Sequence, residues 1–147
     1  MMHRYCVGFA FSLDRRGLLL IEKRKPLWQC GRLNGIGGKI EPGETAADAM
    51  VREFDEEAGV EIERWQPVAL LASDSVEVHF FRIFTDGIFV ARPMTVEPLR
   101  LVDPERLPPN VIPNLRQLVP LALYDSDIIL PMTLTLAPAR AAEQEAA

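Results

Sequence analysis

The stretch from residue 31 to residue 60 constrains this 147-residue chain more than any other part of it. Residues 31–43 contain five glycines and one proline, a composition that a regular helix does not tolerate. Thr45 to Ala58 instead repeats apolar side chains at helical spacing, and Gly59 stands where a helix commonly ends. The sequence therefore predicts a glycine loop that leads directly into an amphipathic helix. The predicted apolar stripe consists of Ala46, Ala47, Met50, Val51, Phe54 and Ala58.

The predicted helix carries three carboxylates on one face, because Glu53, Glu56 and Glu57 are three and four residues apart. Like charges at this spacing repel by a few tenths of a kcal/mol per pair, and the helix dipole disfavours them near the C-terminus. Clustered oxygen ligands suit Mg²⁺ or Mn²⁺ better than zinc. The glutamates alone are equally compatible with a solvated acidic face. The glycine loop before them favours a metal-phosphate site, since its backbone can face a ligand.

Residues 38–60 resemble the Nudix box, G-x5-E-x7-R-E-U-x-E-E-x-G-U, in which U is a bulky apolar residue. All nine specified positions match: Gly38, Glu44, Arg52, Glu53, Phe54, Glu56, Glu57, Gly59 and Val60. The phosphate-binding pattern G-x-x-x-x-G-K-[ST] fails because Ile40 follows Lys39, and G-x-G-x-x-G fails because Ile40 replaces its third glycine. The resemblance implies an α+β Nudix fold, with a mixed β-sheet sandwiched between α-helices.

The resemblance also implies a metal site and a reaction. The implied metal ligands are Glu53, Glu56, Glu57 and the backbone carbonyl of Gly37. Bound Mg²⁺ (or Mn²⁺) would bridge phosphate oxygens and lower the pKa of the attacking water. The reaction would be hydrolysis of a nucleoside diphosphate linked to a further group.

Three further residues receive catalytic roles from the resemblance. Arg52 would orient the glutamates, although it could equally form a surface ion pair of little energetic value. Glu44 would lie near the metal, or would serve only as an acidic residue in the first helical turn. The general base would be a glutamate of the box or an acidic residue on a later loop. Glu97 is the candidate on that loop, where an ordinary exposed carboxylate is the alternative.

The segment from Gly31 to Lys39 is similar to the corresponding loop of MutT-related enzymes, which hydrolyse oxidised purine nucleoside triphosphates. The predicted substrate-binding residues are Asn34, Gly38, Lys39 and Asn114. Asn34 would contact the base, since an amide offers both a donor and an acceptor, or would only favour a turn beside Gly35. Asn114 stands where that branch carries acidic residues, and it could equally be a helix N-cap.

The predicted function is therefore a nucleoside triphosphate pyrophosphohydrolase that acts on (deoxy)nucleoside triphosphates, including oxidised purine nucleotides, and releases pyrophosphate. One alternative is a hydrolase of another nucleoside diphosphate derivative, such as a nucleotide sugar. Another is a non-catalytic module that senses a nucleotide. Trp28 could stack on a base, but the more common role of a lone tryptophan near a strand end is packing in the core. The basic cluster at residues 23–26 is either a solvated loop or a phosphate-steering patch.

Strands are predicted at residues 5–13, 18–22, 68–71, 75–85, 88–91 and 128–136, with a short strand within the proline-rich residues 93–113. Asp86-Gly87 would form a hairpin turn between two of them, and a second helix is predicted over residues 114–123, with a kink or an early start at Pro120. We expect one Nudix domain over residues 1–136, followed by a disordered Ala/Glu-rich tail at 137–147.

A net charge of −5 argues against binding to a nucleic acid polymer but not against a nucleotide whose phosphates are neutralised by a metal. No run of apolar residues is long enough to span a membrane, and the start of the chain is charged too early for a signal peptide. We expect a cytoplasmic protein in which Cys6 and Cys30 are reduced, although one disulfide between them is an alternative. A homodimer is compatible with the resemblance, but the sequence does not identify its surface.

Overall fold

The computed structural model describes residues 1–124 and 130–135 as an eight-stranded mixed sheet with two α-helices. The strands are β1 (His3–Phe11), β2 (Leu18–Glu22), β3 (Leu33–Asn34), β4 (Ile36–Lys39), β5 (Gln66–Ala72), β6 (Val76–Phe84), β7 (Leu99–Val102) and β8 (Met132–Thr135). The α-helices are α1 (Ala46–Ala58) and α2 (Leu115–Leu123), and short 3-10 helices cover Leu27–Gln29 and Asp86–Phe89.

The sheet is built around β1, which pairs parallel with β6 along its whole length. On its other side, β1 pairs antiparallel with β2 at one end and with β4 at the other. Strand β2 also pairs with β3 and β7, while β5 joins β6 to β8. The predicted mixed sheet is thereby confirmed.

Both faces of the sheet are buried because the central strands are apolar on both sides. In β1, Phe9 and Phe11 pack in the cluster that contains α2, whereas Cys6 and Ala10 pack in the cluster that contains α1. Successive side chains of a strand point to opposite faces, so one apolar strand serves two cores. The predicted arrangement of a sheet between helices is confirmed.

Helix α1 begins and ends at signals that are visible in the sequence. The Thr45 hydroxyl accepts a hydrogen bond from the Asp48 N–H at 3.1 Å, and Gly59 adopts the left-handed conformation with φ 71°. The buried residues of the helix include Ala49, whereas Ala47 of the predicted stripe is exposed. A side chain at Gly8 of β1 would contact Met50 at 2.7 Å, so this glycine lets the helix lie close to the sheet.

The prediction of a strand over residues 88–91 after an Asp86-Gly87 hairpin turn is wrong. These residues begin in a 3-10 helix whose start is capped by the Thr85 hydroxyl, which accepts from the Gly87 N–H. Strand β6 is already paired with β1 and β5, so a strand returning beside it has no free edge. The Asp86 carboxylate instead accepts from the Leu13 N–H at 3.0 Å.

Other predictions need smaller corrections. Part of the expected glycine loop is strand β4, and Trp28 is not a core residue, since 65% of it is exposed. Both cysteines are free. Helix α2 continues through Pro120, and the last strand is described only over Met132–Thr135. The predicted tail at 137–147 lies outside the described residues. Within the described ranges, no helix has the length and apolar character to cross a membrane.

Candidate active site

Arg52 connects Glu44, in the loop before α1, to the glutamates of the helix. Its Nε and Nη2 donate to the two oxygens of Glu44, both at 2.8 Å, and its Nη1 donates to Glu53 at 2.8 Å and to Glu56 at 3.3 Å. Nη2 also donates to the carbonyl of Lys39 in β4 at 3.0 Å. Of these five hydrogen bonds, two reach the loop before α1, two stay within α1 and one reaches β4, so Arg52 joins the three parts more firmly than a surface ion pair would.

Glu44 precedes the N-cap of α1, so the alternative of an acidic residue in the first helical turn is wrong; Asp48 has that place. The Glu44 carboxylate accepts from the Glu41 N–H at 3.0 Å as well as from Arg52. The hydrogen bonds from Arg52, followed by that N–H, lower the pKa of Glu44 to about 2. Glu44 is therefore held as an anion that fixes Arg52.

The glycines of β4 allow close approach on two sides. A Cβ at Gly37 would collide with the backbone carbonyl of Cys6 in β1. A Cβ at Gly38 would lie 2.5 Å from the carboxyl carbon of Glu53. Glu53 is buried at this contact, and burial raises the pKa of its carboxyl against the opposing effect of Arg52. The carboxyl of Glu53 therefore occupies the space that a side chain at Gly38 would fill.

Glu57 is the least satisfied glutamate of the helix. Its Oε2 is buried and has no hydrogen-bond partner among the residues that the structure describes. Burial raises the pKa of Glu57 to about 7, the nearby charge of Lys23 lowers it, and the charges of Glu53, Glu97 and Glu56 add to the increase. A buried oxygen without a donor is stabilised by a proton or by a cation.

Glu97 lies beside this cluster and is buried, with 6% of its surface exposed, so the alternative of an exposed loop carboxylate is wrong. Its Oε1 accepts from Lys23 Nζ at 3.2 Å, and its Oε2 accepts from the Arg24 N–H at 2.6 Å. Burial alone would raise the pKa of Glu97, but these donors and the positive charge of Lys23 outweigh it, and the pKa is lowered. Glu97 is held ionised, with both oxygens in use.

Several features fit a divalent cation. The donors are carboxylate and carbonyl oxygens, which hard cations prefer, and one of them is the unpartnered buried oxygen of Glu57. Among residues 1–124 and 130–135, however, no three His, Cys, Asp or Glu side chains are gathered closely enough to enclose a metal as they stand. Arg52 draws Glu53 and Glu56 toward itself, so a cation must bind their second oxygens or turn these carboxylates away from the arginine.

The predicted substrate-binding residues lie at several places. Asn34 is in β3, where its amide nitrogen donates to Gln29 Oε1 at 3.2 Å and its oxygen accepts from the Gly35 N–H at 2.8 Å. Lys39 is exposed at the end of β4, next to Gly38. Asn114 is exposed at the N-cap of α2, but its side chain forms no capping hydrogen bond. The Ile112 N–H donates to the Leu33 carbonyl, which brings the segment before α2 to β3.

Sequence reasoning missed two contacts that shape the site. Lys23 was part of a basic cluster with an undecided role, and its partner Glu97 lies 74 residues away. Gln29, which contacts Asn34, carries no motif. Neither contact has a local signal in the sequence, and Glu97 reaches Lys23 because β2 pairs with β7, where the Glu22 N–H donates to the Pro98 carbonyl.

Comparison with known proteins identifies the family of this chain. The model of the NUDIX domain matches residues 2–122, which include β1–β7 and nearly all of α2. The chain belongs to the Nudix family. It is a Nudix hydrolase, as the resemblance of residues 38–60 implied, and it has MutT-like relatives, as the similarity of residues 31–39 implied.

Three relatives show the extent of the similarity of this Nudix hydrolase. A putative 8-oxo-dGTP diphosphatase of Bacillus subtilis is 33% identical over 112 residues, covering 73% of this chain and 72% of the relative. An NAD-capped RNA hydrolase NudC of Pseudomonas putida is 32% identical over 100 residues, which are 66% of this chain but only 36% of the relative. The crystal structure of a MutT Nudix hydrolase from Burkholderia pseudomallei has a TM-score of 0.71 at 18% identity, covering 82% of this chain and 98% of that one. This last match supports the fold alone.

Proposed function

We propose that this Nudix hydrolase is a Mg²⁺-dependent pyrophosphohydrolase of (deoxy)nucleoside triphosphates, with oxidised purine nucleotides among its substrates. The products would be a nucleoside monophosphate and pyrophosphate. The observation that carries the proposal is the buried Glu57 oxygen, which has no hydrogen-bond partner among the described residues and lies next to the other box glutamates, because a bound cation would stabilise its ionised form. The similarity to the putative 8-oxo-dGTP diphosphatase of Bacillus subtilis supports the substrate class.

The metal ligands would be Glu53, Glu56, Glu57 and the Gly37 carbonyl, with Mn²⁺ able to replace Mg²⁺. When bound, the cation supplies charge neutralisation for the phosphates and activation of water. Arg52 keeps Glu53 and Glu56 on one side of α1, and Glu44 keeps Arg52 in place. Lys39 and the backbone of Gly38 would contact the substrate at the end of β4.

We infer that a box glutamate is a better general base than Glu97. Both oxygens of Glu97 already accept hydrogen bonds, and its lowered pKa makes it a weak base. Among the described residues, one buried oxygen of Glu57 has no hydrogen-bond partner, so it can accept a proton from water. The pKa of about 7 for this carboxyl belongs to the metal-free protein, and a bound cation would lower it.

Asn34 and Asn114 are the proposed base-reading residues. The Asn34 amide is held in orientation by Gln29 and Gly35 and retains hydrogen-bonding capacity toward a purine edge. Asn114 is exposed and has no capping role, so its side chain is available to a ligand. A cytoplasmic location, where nucleotides are abundant, stays a prediction, as do the single domain over residues 1–136 and the homodimer.

The test is hydrolysis of a nucleotide panel with Mg²⁺, following release of pyrophosphate and of phosphate separately. The panel contains ordinary and oxidised purine triphosphates. We expect pyrophosphate release, a preference for the oxidised purine, and a loss of about 100-fold or more in kcat for Glu57→Gln, since that change removes a proposed ligand and base. Undiminished turnover of Glu57→Gln would contradict the metal assignment, and tight nucleotide binding without turnover would contradict hydrolysis.

A second candidate is hydrolysis of a dinucleotide such as NAD, in which the diphosphate links two nucleosides. The similarity to the NAD-capped RNA hydrolase NudC favours a substrate that contains the diphosphate of NAD, although it covers about a third of the length of that relative. NAD⁺ and NADH therefore belong in the same panel, together with a nucleotide sugar. Release of two mononucleotides from NAD would identify this second activity, whereas a nucleotide sugar would give one nucleoside monophosphate and a sugar phosphate.

A further inference from the structure

Hydrogen bonds join the segment 92–98 to the end of α1 and to strand β2. The Arg92 and Met94 N–H groups donate to the carbonyls of Ala58 and Glu57, at 3.0 and 3.2 Å. Four residues after Met94, the Pro98 carbonyl accepts from the Glu22 N–H at 2.8 Å. The segment is therefore hydrogen-bonded to α1 at its start and to the sheet at its end, and Glu97 lies near the end that contacts the sheet.

Glu97 fixes this segment to the sheet through a buried carboxylate. One oxygen accepts from the ammonium of Lys23, whose side chain is 16% exposed, and the other accepts from the Arg24 N–H. The Glu97 N–H in turn donates to the Thr95 hydroxyl at 3.1 Å. Removal of either charge of such a buried pair leaves the other uncompensated, which is costly.

Glu57 depends on its surroundings for its position. Among the described residues, its Oε2 has no hydrogen-bond donor that could orient the carboxylate. Its carbonyl is held by Met94, which belongs to the segment that Glu97 anchors. Metal ligands generally need such outer partners, and loss of one typically weakens metal affinity or activity by about 10- to 100-fold.

We propose that Lys23 and Glu97 form one positioning unit, which clamps the segment 92–98 between β2 and α1 and so holds Glu57 in place to bind a divalent cation. Both are positioning residues, since they act through Glu57 and the end of α1. The inference rests on the proposed function in so far as Glu57 is a metal ligand. Each charge is effective only with its partner, so the two residues form a single functional element.

The test measures Mn²⁺ binding to the full chain by electron paramagnetic resonance, beside nucleotide hydrolysis and urea unfolding. The variants are Lys23→Met, Glu97→Gln, the double variant and Lys23→Arg. Arg100→Met is the matched control, because Arg100 is a nearby cation that pairs with Glu22 and does not contact Glu97.

We expect Lys23→Met and Glu97→Gln each to weaken Mn²⁺ binding about 10-fold or more. We expect the double variant to be no more than about threefold worse than the poorer single one. Lys23→Arg should retain most of the affinity, and Arg100→Met should stay within about twofold of the wild type.

Other results would overturn the inference. A pair that matters only for stability would lower the urea midpoint and leave the Mn²⁺ affinity of the folded protein unchanged. Multiplicative losses in the double variant would show that the residues act independently. Glu97→Gln preserves the size of the side chain, so it stays informative even if Lys23→Met lowers the folded fraction. If the wild type binds Mn²⁺ but hydrolyses no nucleotide, the proposed function fails and the positioning role of Lys23 and Glu97 is unaffected.

If the wild type hydrolyses nucleotides and Lys23→Met and Glu97→Gln both bind Mn²⁺ as the wild type does, the proposed function is unaffected and the positioning role is wrong.

Discussion

At the scale of single residues, the site is organised by hydrogen bonds that leave few donors unused. The guanidinium of Arg52 has five N–H groups, and five hydrogen bonds join it to Glu44, Glu53, Glu56 and the Lys39 carbonyl. Lysine could not make these contacts because it lacks the planar fork. Glu57 does not contact Arg52, and its buried Oε2 has no hydrogen-bond partner among the described residues, so a cation or a proton would stabilise it.

The neighbouring glycines 37 and 38 provide a matched pair of substitutions. In Gly38→Ala, the new Cβ meets the end of the Glu53 side chain, which can move at small cost in stability. We expect a change in unfolding free energy below about 1 kcal/mol but a loss of about 10-fold in Mn²⁺ affinity. In Gly37→Ala, the Cβ meets the backbone of Cys6, so we expect a destabilisation of about 2 kcal/mol or more. Urea unfolding and Mn²⁺ titration check both. A Gly38→Ala variant with wild-type Mn²⁺ affinity would show that Glu53 need not stay where it is.

At the scale of secondary-structure elements, α1 was predictable because its signals are local. Thr45 caps its start, Gly59 ends it, and its apolar spacing marks the buried face. The 3-10 helix at Asp86–Phe89 was not predictable, since the occupied edges of β6 and the Leu13 N–H that binds Asp86 are distant in sequence. Local apolar spacing predicted a strand there, and tertiary contacts gave a different structure.

The end of α2 depends on arginines from elsewhere in the chain. Arg15 donates to the Leu123 carbonyl, and the buried Arg82 donates from Nη1 to the carbonyls of Ala122 and Tyr124 at 2.9 and 2.8 Å. Cations at a helix C-terminus bind carbonyls that lack a partner within the helix.

We therefore expect Arg82→Met to lower the unfolding free energy by about 3 kcal/mol, because buried acceptors lose their donor while the side-chain volume is kept. Arg116→Met is the control, since Arg116 lies on α2 itself, is exposed, and its side chain makes one hydrogen bond among the described residues, to the Pro108 carbonyl. Its expected effect is within about 0.5 kcal/mol. Urea unfolding of both variants checks this, and equal effects would argue that Arg82 does not cap the helix.

At the scale of the whole molecule, the sequence contained enough information to predict the fold and the three glutamates that α1 carries on one face. The box places its glutamates within one helix, so local spacing sufficed for them. The surroundings of Glu57 come from β2 and from the segment 92–98, which meet only when β2 pairs with β7. Burial of Glu97 and its pairing with Lys23 are consequences of this topology, and no local pattern encodes them.

Burial of the Glu57 carboxyl makes the stability of the metal-free protein depend on pH. The pKa of Glu57 is raised from 4.5 to about 7, chiefly by burial. Between these values the folded protein keeps a proton that the unfolded chain has lost, so stability falls as pH rises through this window. A shift of this size corresponds to at most about 3 kcal/mol, and the partial exposure of Glu57 reduces the expected loss to about 2 kcal/mol. Glu44 acts in the opposite sense: Arg52 lowers its pKa to about 2, so its contribution is lost as pH falls below 4.5.

We therefore expect metal-free stability to be greatest near pH 5 and to decline toward pH 8, measured by urea unfolding in the presence of a chelator. Glu57→Gln should remove most of the decline, because its amide does not titrate. Glu56→Gln should keep it, since the Glu56 side chain is 56% exposed. Saturating Mn²⁺ should also flatten the profile, because a cation stabilises the ionised carboxylate in the folded state only. A decline that persists unchanged in Glu57→Gln would place its origin in another buried group, and the unpartnered oxygen of Glu57 would then have to be satisfied by solvent.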